Sequence, residues 1–329
     1  MFRRQAEHFA LLGSPVYGRL AGQLAADPAP ARPIIGDDAS WDLGLRLFGA
    51  VNHHVLTGAA PDALSGEWDD FTAALADHPV SLRRFVEEQG VQTNETQRCV
   101  ALVPAFLTLA RETGLPLDLI ELGPSAGLNL VFDRYRYRYA EGAFGDPDAR
   151  LSFDANERGR VPAELLRTPV SVGSRRGIDL SPIDVGNEEG VVLLHSFLWP
   201  GLTERASRLD AAIETFLDCP SRPELVGGDY VDLLPGVLAS RSAEALTVVF
   251  QTASTGYLPL ERYDVLRASL AAAAADGRPL AWVSSRRREE KEFDDETWWE
   301  LELRIWPDPA RLVALVDFHG NWVDWLEAA

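Results

Sequence analysis

The sequence feature that most constrains the fold is the stretch 117–130, which reads Leu-Asp-Leu-Ile-Glu-Leu-Gly-Pro-Ser-Ala-Gly-Leu-Asn-Leu. Its first part, Leu117–Leu122, has the nearly continuous hydrophobicity of a parallel strand buried on both faces, and it includes the acidic residue Glu121. A turn containing Gly123 and Gly127 follows, and then the predicted start of a helix. Because free backbone N–H groups point outward at such a junction, the stretch predicts a cradle for an anionic or polar ligand.

The sequence on either side of this stretch predicts two domains. Residues 1–115 carry apolar residues mainly at helical spacing, which predicts a helical N-terminal cap. In residues 116–329 strand patterns alternate with helix patterns, and the last two strand candidates are joined only by Pro-Asp-Pro at 307–309, so they must be antiparallel. We therefore predict an α/β fold, a Rossmann-like doubly wound sheet that is mostly parallel, with an antiparallel C-terminal hairpin and a further hairpin inserted near 136–153.

Two predicted helices bear directly on the glycine turn. One follows it from about Ser125 to Tyr135. The other runs to about Thr113 and begins near Thr93 or Asn94, either of which can cap its N-terminus. If this second helix start folds over the glycine turn, Asn94 reaches the bound ligand instead.

The spacing of the glycines distinguishes two classes of cofactor. A dinucleotide fingerprint requires glycine at positions 123, 125 and 128, but Ser125 and Leu128 occupy two of them. A methyltransferase-type pattern, acid-x-Gly-x-Gly-x-Gly, requires positions 121, 123, 125 and 127. Glu121, Gly123 and Gly127 satisfy this pattern, and only Ser125 departs from it. Taken alone, the loop is also compatible with a tight turn that binds no ligand.

Two further acidic residues follow later strand candidates in the order that a bound nucleoside requires. Asp179, in Gly-Ile-Asp-Leu-Ser-Pro, ends the second strand, where a carboxylate can accept hydrogen bonds from both ribose hydroxyls. Asp229 follows the third strand, where the exocyclic amine of adenine needs an acceptor. Each acid alone is also compatible with a helix N-cap. Asp154 is a rival for the ribose role, but it adjoins the predicted hairpin, and we favour Asp179.

Glu121, Asp179 and Asp229 in this order resemble class I S-adenosylmethionine-dependent methyltransferases, over roughly residues 115–329. The resemblance implies S-adenosylmethionine as the cofactor. The residues that we assign to cofactor binding on this basis are Asn94, Glu121, Gly123, Ser125, Gly127, Asn129, Asp179, Asp229 and Tyr230.

Short motifs along the whole chain resemble a bacterial family catalogued as domain of unknown function 2332. They are Val91–Glu95, the glycine turn at 121–129, Asp-Arg-Tyr at 133–135, the Gly-Ile-Asp-Leu-Ser-Pro segment and Trp-Pro at 199–200. Because that family has no established substrate, the resemblance supports the fold and the cofactor but no particular reaction.

His195, Gln251 and Tyr257 are the candidate catalytic residues. Methyl transfer is an in-line displacement that depends on alignment and exclusion of water, and a base is needed only when the acceptor must lose a proton. Gln251 and Tyr257 follow the fourth strand at the switch point of the sheet, where substrate groups gather. His195 lies in an apolar run, where a histidine is more often a satisfied core residue. Residues 251–257 are also compatible with an ordinary polar loop.

Composition limits the partners. Fifty acidic against 31 basic residues give a net charge of −19, which disfavours nucleic acid and anionic membrane surfaces. Two cysteines make neither a disulfide framework nor a zinc cluster, no His/Cys/carboxylate cluster has metal-binding spacing, and no apolar run has the length of a membrane span. We expect a cytoplasmic protein with a small-molecule partner and no metal; a homo-oligomer is compatible with the sequence.

The sequence therefore predicts a transferase, an S-adenosylmethionine-dependent methyltransferase that acts on a small molecule enclosed by the helical cap. Two alternatives remain open. One is a non-catalytic protein that binds S-adenosylmethionine or a related nucleoside. The other, disfavoured by Ser125 and Leu128, is an NAD(P)-dependent oxidoreductase.

Overall fold

The computed structural model describes residues 2–11, 13–38, 40–285 and 298–327. The chain forms two units. The first comprises Met1–Thr93 and Ile183–Asp210, and the second comprises Asn94–Pro182 and Ala211–Ala329. Residues 94–115, which the sequence pattern groups with the helical cap, thus cluster with the sheet.

The regular elements described are all helical up to Thr113, and strands and helices are mixed from Leu117 onward. The helices are α1 (Phe2–Leu11), α2 (Pro15–Ala26), α3 (Arg32–Ile35), α4 (Leu43–Leu56), α5 (Trp68–Asp77), α6 (Pro79–Glu88), α7 (Cys99–Thr113), α8 (Ala163–Leu166), α9 (Glu188–Ser196), α10 (Thr203–Leu217), α11 (Tyr230–Ala239) and α12 (Leu260–Ala274). Four 3-10 segments are Ala29–Ala31, Thr96–Arg98, Leu128–Arg134 and Ser254–Tyr257. The strands are β1 (Leu117–Leu122), β2 (Arg136–Tyr139), β3 (Gly142–Phe144), β4 (Ser152–Asp154), β5 (Glu157–Gly159), β6 (Val172–Asp179), β7 (Glu224–Gly227), β8 (Leu246–Gln251), β9 (Leu280–Ser285), β10 (Trp298–Ile305), β11 (Arg311–Asp317) and β12 (Val323–Trp325).

The first unit is helical around an aromatic core. The fully buried rings of Phe9, Tyr17 and Phe48 pack edge-on or tilted, with centroids 4.5 to 5.3 Å apart. The buried side chain of Asn52 on α4 lies within hydrogen-bond distance of three carbonyl groups at the end of α9, including that of His195. These bonds attach the segment 183–210 to the N-terminal helices of the same unit.

The second unit contains a nine-stranded sheet of described strands, in the order β5-β12-β11-β10-β9-β8-β1-β6-β7. Strands β7, β6, β1, β8 and β9 are parallel, whereas β10 and β11 are antiparallel to their neighbours β9 and β10. The predicted Rossmann-like, mostly parallel sheet with an antiparallel C-terminal hairpin is confirmed. Because the chain leaves β1 towards β6 and later returns to β8 on the other side, the topological switch point lies between β1 and β8.

Helix α7 covers the antiparallel side of this sheet. Every residue from Cys99 to Ala110 is buried, and the helix contacts β9, β10, β11 and β12. This all-round burial explains why residues 94–115 belong with the sheet, since a helix that is apolar on all sides needs partners on all sides.

A three-stranded sheet, in the order β3-β2-β4, replaces the predicted hairpin near 136–153. Strand β2 pairs antiparallel with β3 and parallel with β4, so the predicted pairing of 136–139 with 150–153 as a hairpin is wrong. The tight turn falls at 140–141, where the chain reverses before reaching the Gly-Asp-Pro-Asp segment. Asp154 ends β4 and forms an exposed ion pair with Arg138.

The helix predicted from Ser125 to Tyr135 is also wrong, because the chain forms only the 3-10 segment Leu128–Arg134, interrupted at Val131. The cause is a long-range contact. The Arg175 guanidinium on β6 donates to the Leu130 carbonyl, an acceptor that a continuous α-helix would use. Arg175 also forms a bidentate ion pair with Asp133, at 2.7 and 2.8 Å.

We predict that Asp133→Ala lowers the free energy of unfolding by about 3 kcal/mol, because it leaves the Arg175 charge buried and unpaired. The Arg175 side chain is only 3% exposed. Asp154→Ala, in the same unit, removes the exposed pair with Arg138 and is the matched control, expected to leave the unfolding midpoint nearly unchanged. Urea unfolding followed by circular dichroism measures both. Equal, small losses in the two variants would contradict the structural role of Arg175.

Candidate functional site

The loops that follow β1, β6 and β7 meet at the carboxyl edge of the sheet. In the strand register, Leu122 lies opposite Ile178, and Asp179 lies opposite Gly227. The Gly123 amide donates to the Ile178 carbonyl at 2.9 Å, and the Gly228 amide donates to the Asp179 carbonyl at 2.8 Å. The predicted cofactor residues after these three strands are therefore brought together.

The glycine turn adopts positive φ at three alternating positions. Gly123, Ser125 and Gly127 have φ of 70°, 56° and 76°, and Ser125 is the one non-glycine residue with positive φ among the described residues. A Cβ at Gly123 would overlap the Cβ of Ser254, so glycine is required there. Ser125 adopts the same left-handed conformation with a side chain, and its backbone amide donates to Asp179 Oδ2 at 2.8 Å.

Three amides of this turn are bonded within the protein. Those of Gly123, Ser125 and Gly127 bond to the Ile178 carbonyl, to Asp179 and to the Pro124 carbonyl. Only a 3-10 segment follows, so the α-helix N-terminus predicted here, with its dipole and free N–H groups, is not formed. The binding of an anionic or polar ligand by this turn stays a prediction, and these three amides are already used.

Glu121 is buried next to the turn, with 3% of its surface exposed. Its Oε1 accepts a hydrogen bond from Asn129 Nδ2 at 2.9 Å, and Asn129 Oδ1 accepts from the Cys99 thiol at 3.3 Å. Glu121 Oε2 is buried without a partner. Burial raises the pKa of Glu121 to about 7; the bond from Asn129 opposes this rise, and the nearby negative charge of Asp179 adds to it.

Asn94 contacts the turn directly. Its Nδ2 donates to the Pro124 carbonyl at 2.7 Å, and its Oδ1 is buried without a partner. The interpretation of Asn94 as a helix cap is wrong, because a 3-10 segment precedes α7 and Glu95 caps it by accepting from the Gln97 amide at 3.2 Å. Asn94 instead reaches the glycine turn, which was the alternative prediction for this segment.

Asp179 and Asp229 hold loop backbone at this edge. Asp179 accepts from the amides of Ser125 and Ser181, at 2.8 and 3.0 Å. Asp229 caps α11 by accepting from the Val231 amide at 2.8 Å, which confirms the N-cap interpretation for this residue. Each carboxylate oxygen keeps a further lone pair, so capping does not exclude a ligand.

Tyr230, the residue after Asp229, is 7% exposed. Its hydroxyl faces Ser254 without completing a hydrogen bond of normal geometry, and burial raises its pKa to about 12 while Ser254 opposes that rise. The Ser254 hydroxyl itself donates to the Leu122 carbonyl at 2.6 Å.

Buried polar atoms without partners therefore surround this turn. They are Asn94 Oδ1, Glu121 Oε2, Ser125 Oγ and Tyr230 OH. Each such atom costs about 1–3 kcal/mol in a folded protein, which is why native structures keep few of them. Further such atoms lie elsewhere in the described residues, but these four lie on loops at one edge of the sheet, which makes this edge the candidate site for a polar ligand.

The three candidate catalytic residues are not brought together in this way. Gln251 is fully buried, and its amide exchanges two hydrogen bonds with Ser285, Nε2 to the carbonyl at 3.1 Å and Oε1 from the hydroxyl at 3.0 Å. Tyr257, at the end of a 3-10 segment, is 58% exposed. His195 belongs to the first unit, where its Nε2 lies 2.9 Å from Asp210 Oδ1. The two hydrogen bonds of Gln251 join the end of β8 to the end of β9.

Two residues at the site escaped the sequence analysis. Ser254 packs on Gly123, and Arg262 binds Asp229 at 2.6 Å. Ser254 lies in the segment 251–257, for which the sequence is compatible with substrate contacts or with an ordinary polar loop. Arg262 has no signal in the sequence, because a charged residue early in a helix is ordinarily a solvated one.

Two kinds of feature are absent from the described ranges. None of the helices there combines the length and apolar character needed to cross a bilayer. Nor do three or more His, Cys, Asp or Glu side chains approach closely enough in these ranges to hold a metal ion.

The chain matches the model of a known protein family. Residues 1–325 match the model of a protein family described as an uncharacterized protein conserved in bacteria, domain of unknown function 2332. No curated protein matches the chain.

We predict that stability falls with rising pH because of Glu121. The pKa of Glu121 is near 4.5 in the unfolded chain and about 7 in the folded protein. Its contribution to the free energy of unfolding is therefore fully present below pH 4.5 and is lost as pH rises through 7. The loss amounts to about 3 kcal/mol, and Glu121→Gln should abolish it and be the more stable protein at pH 8.

Urea unfolding between pH 4.5 and 8 measures this difference. Asp118→Asn, on the same strand, is the matched control and should keep the pH dependence of the unaltered protein. Parallel pH profiles for Glu121→Gln and the unaltered protein would show that Glu121 is not the buried acid described.

Proposed function

We propose that this chain, which belongs to the bacterial family domain of unknown function 2332, binds S-adenosylmethionine at the carboxyl edge of β1, β6 and β7 and transfers its methyl group to a small molecule. One observation carries the proposal. The glycine turn of methyltransferase spacing is surrounded by buried polar atoms without partners, of which Glu121 Oε2 is the most costly to leave unpaired.

The unpartnered atoms fit the amino-acid part of S-adenosylmethionine. Glu121 Oε2 and Asn94 Oδ1 are both acceptors, and a ligand that brings an ammonium group satisfies them. A cation beside Glu121 also favours its ionised form, opposing the burial that raises its pKa. Glu121 and Asn94 would hold this group, with the Ser125 hydroxyl as a further donor or acceptor.

The nucleoside part fits the two partly buried acids, Asp179 and Asp229. Asp179 would accept from the ribose hydroxyls through the lone pairs that the amides of Ser125 and Ser181 leave unused. Asp229 would accept from the adenine amine. Both carboxylates are held in place by the loop backbone, so little conformational freedom is lost when a ligand binds.

A dinucleotide fits this turn less well. A pyrophosphate needs outward backbone N–H groups and a helix N-terminus, whereas three amides of this turn are bonded within the protein and only a 3-10 segment follows. Ser125 and Leu128 also replace two of the three glycines that dinucleotide sites use. The alternative of an NAD(P)-dependent oxidoreductase has no supporting contact.

When bound, S-adenosylmethionine supplies an electrophilic methyl group. What the chain contributes is alignment through Asp179, Asp229 and Glu121, and exclusion of water by the buried turn. Tyr257, which is 58% exposed, would be a residue of this unit that contacts the acceptor molecule.

A non-catalytic protein that binds the same nucleoside is the second candidate. The observation that favours it is the commitment of Gln251 to Ser285, which leaves the switch point without the predicted catalytic amide. Incubation with methyl-labelled S-adenosylmethionine and a bacterial metabolite extract separates the two. Labelled product supports the transferase, and binding without any labelled product supports the non-catalytic protein.

We predict that Asp179→Ala weakens binding of S-adenosylmethionine and of its demethylated product by about ten- to a hundredfold, the value of one or two hydrogen bonds to a charged group. Calorimetry with both ligands and with NAD measures this, and circular dichroism checks the fold. Asp154→Ala is the matched control, because that acid lies in the small sheet and should leave the affinity unchanged. Heat with NAD and none with the other two ligands would reject the proposal.

A further inference from the structure

Arg262 links the beginnings of two helices at the proposed nucleoside site. It is the third residue of α12, and its Nη2 donates to Asp229 Oδ2 at 2.6 Å while its Nη1 donates to Asp232 Oδ1 at 2.9 Å. The side chains of Arg262 and Asp229 are 34% and 36% exposed. The pair is therefore fixed in position and still accessible to a ligand.

Tyr230 shows that this pair faces a polar site. The ring is 7% exposed and its hydroxyl completes no hydrogen bond. The charges of Asp229 and Asp179 raise the pKa of that hydroxyl and the charge of Arg262 lowers it, so all three groups lie near it. An unpartnered buried hydroxyl among charges that two different loops and α12 supply indicates a place for a polar ligand.

The pair offers an acceptor and a donor side by side. Arg262 has five N–H donors, of which two are directed at carboxylates, and Asp229 Oδ2 keeps a second lone pair beside the Arg262 contact. Adenine presents the complementary groups on its Watson–Crick edge, where the exocyclic amine donates next to N1, which accepts. A 6-oxo purine presents the reverse on that edge, because its O6 carbonyl accepts and its N1–H donates.

We infer that Arg262 is a specificity-determining residue, which together with Asp229 reads a 6-amino purine and rejects a 6-oxo purine. Asp229 accepts from the exocyclic amine, and Arg262 donates to the adjacent ring nitrogen. Rejection follows because a 6-oxo purine would place its carbonyl against the carboxylate and its N–H against the guanidinium. The inference rests on the proposed function, since it concerns the base of the same nucleoside.

The test compares S-adenosylhomocysteine with S-inosylhomocysteine, its 6-oxo counterpart, by calorimetry. The unaltered protein should prefer the 6-amino ligand by at least about tenfold, the value of a mismatched hydrogen-bond pair. Arg262→Gln should reduce this preference to less than about threefold, mainly by weakening the 6-amino ligand. Asp232→Asn removes only the outer partner of Arg262 and should keep the preference.

Two results would overturn the inference, and only the second of them would also reject the proposed function. A preference unchanged in Arg262→Gln, with binding retained, would show that Arg262 only joins α11 to α12. Binding of neither ligand to the unaltered protein would reject the proposed function as well. If Arg262→Gln does not fold, Arg262→Lys keeps a cation beside Asp229 but not the planar fork, and it should lower the preference too.

Discussion

The hydrogen bond from the Ser125 amide to Asp179 joins the loop after β1 to the end of β6, and the site depends on it. It requires Ser125 to hold a positive φ, with Gly123 and Gly127 doing the same on either side. It also uses a backbone donor that a phosphate would otherwise need. That amide is therefore not free for an anion, and in the proposed function ligand recognition depends on the side chains around the turn, Glu121 above all.

The parallel half of the sheet could be predicted because its strands are buried on both faces and so appear as continuous apolar runs, as in Leu117–Leu122 and 246–252. Elements whose conformation depends on distant contacts could not be predicted from the sequence. The segment after the turn has the sequence pattern of a helix, and it is the Arg175 guanidinium on β6 that takes the Leu130 carbonyl. Strands β5 and β12 are three residues each, too short to show a period.

The residues of the candidate site also differ in how far the sequence predicts their position. Glu121, Ser125 and Asp179 could be identified because the ends of parallel strands share one edge of a sheet, so spacing along the chain predicts proximity. Asn94 has the signature of a cap, and its bond to the Pro124 carbonyl depends on how α7 packs. Arg262 lies 33 residues from Asp229 in sequence, and nothing local marks their contact.

A crystal structure of the protein grown with S-adenosylhomocysteine would show where the nucleoside binds. We expect it at the carboxyl edge of the sheet, with its ribose hydroxyls on Asp179 and its amino group on Glu121 Oε2. A ligand bound elsewhere on the chain, or a dinucleotide whose pyrophosphate lies on the turn 123–127, would contradict it.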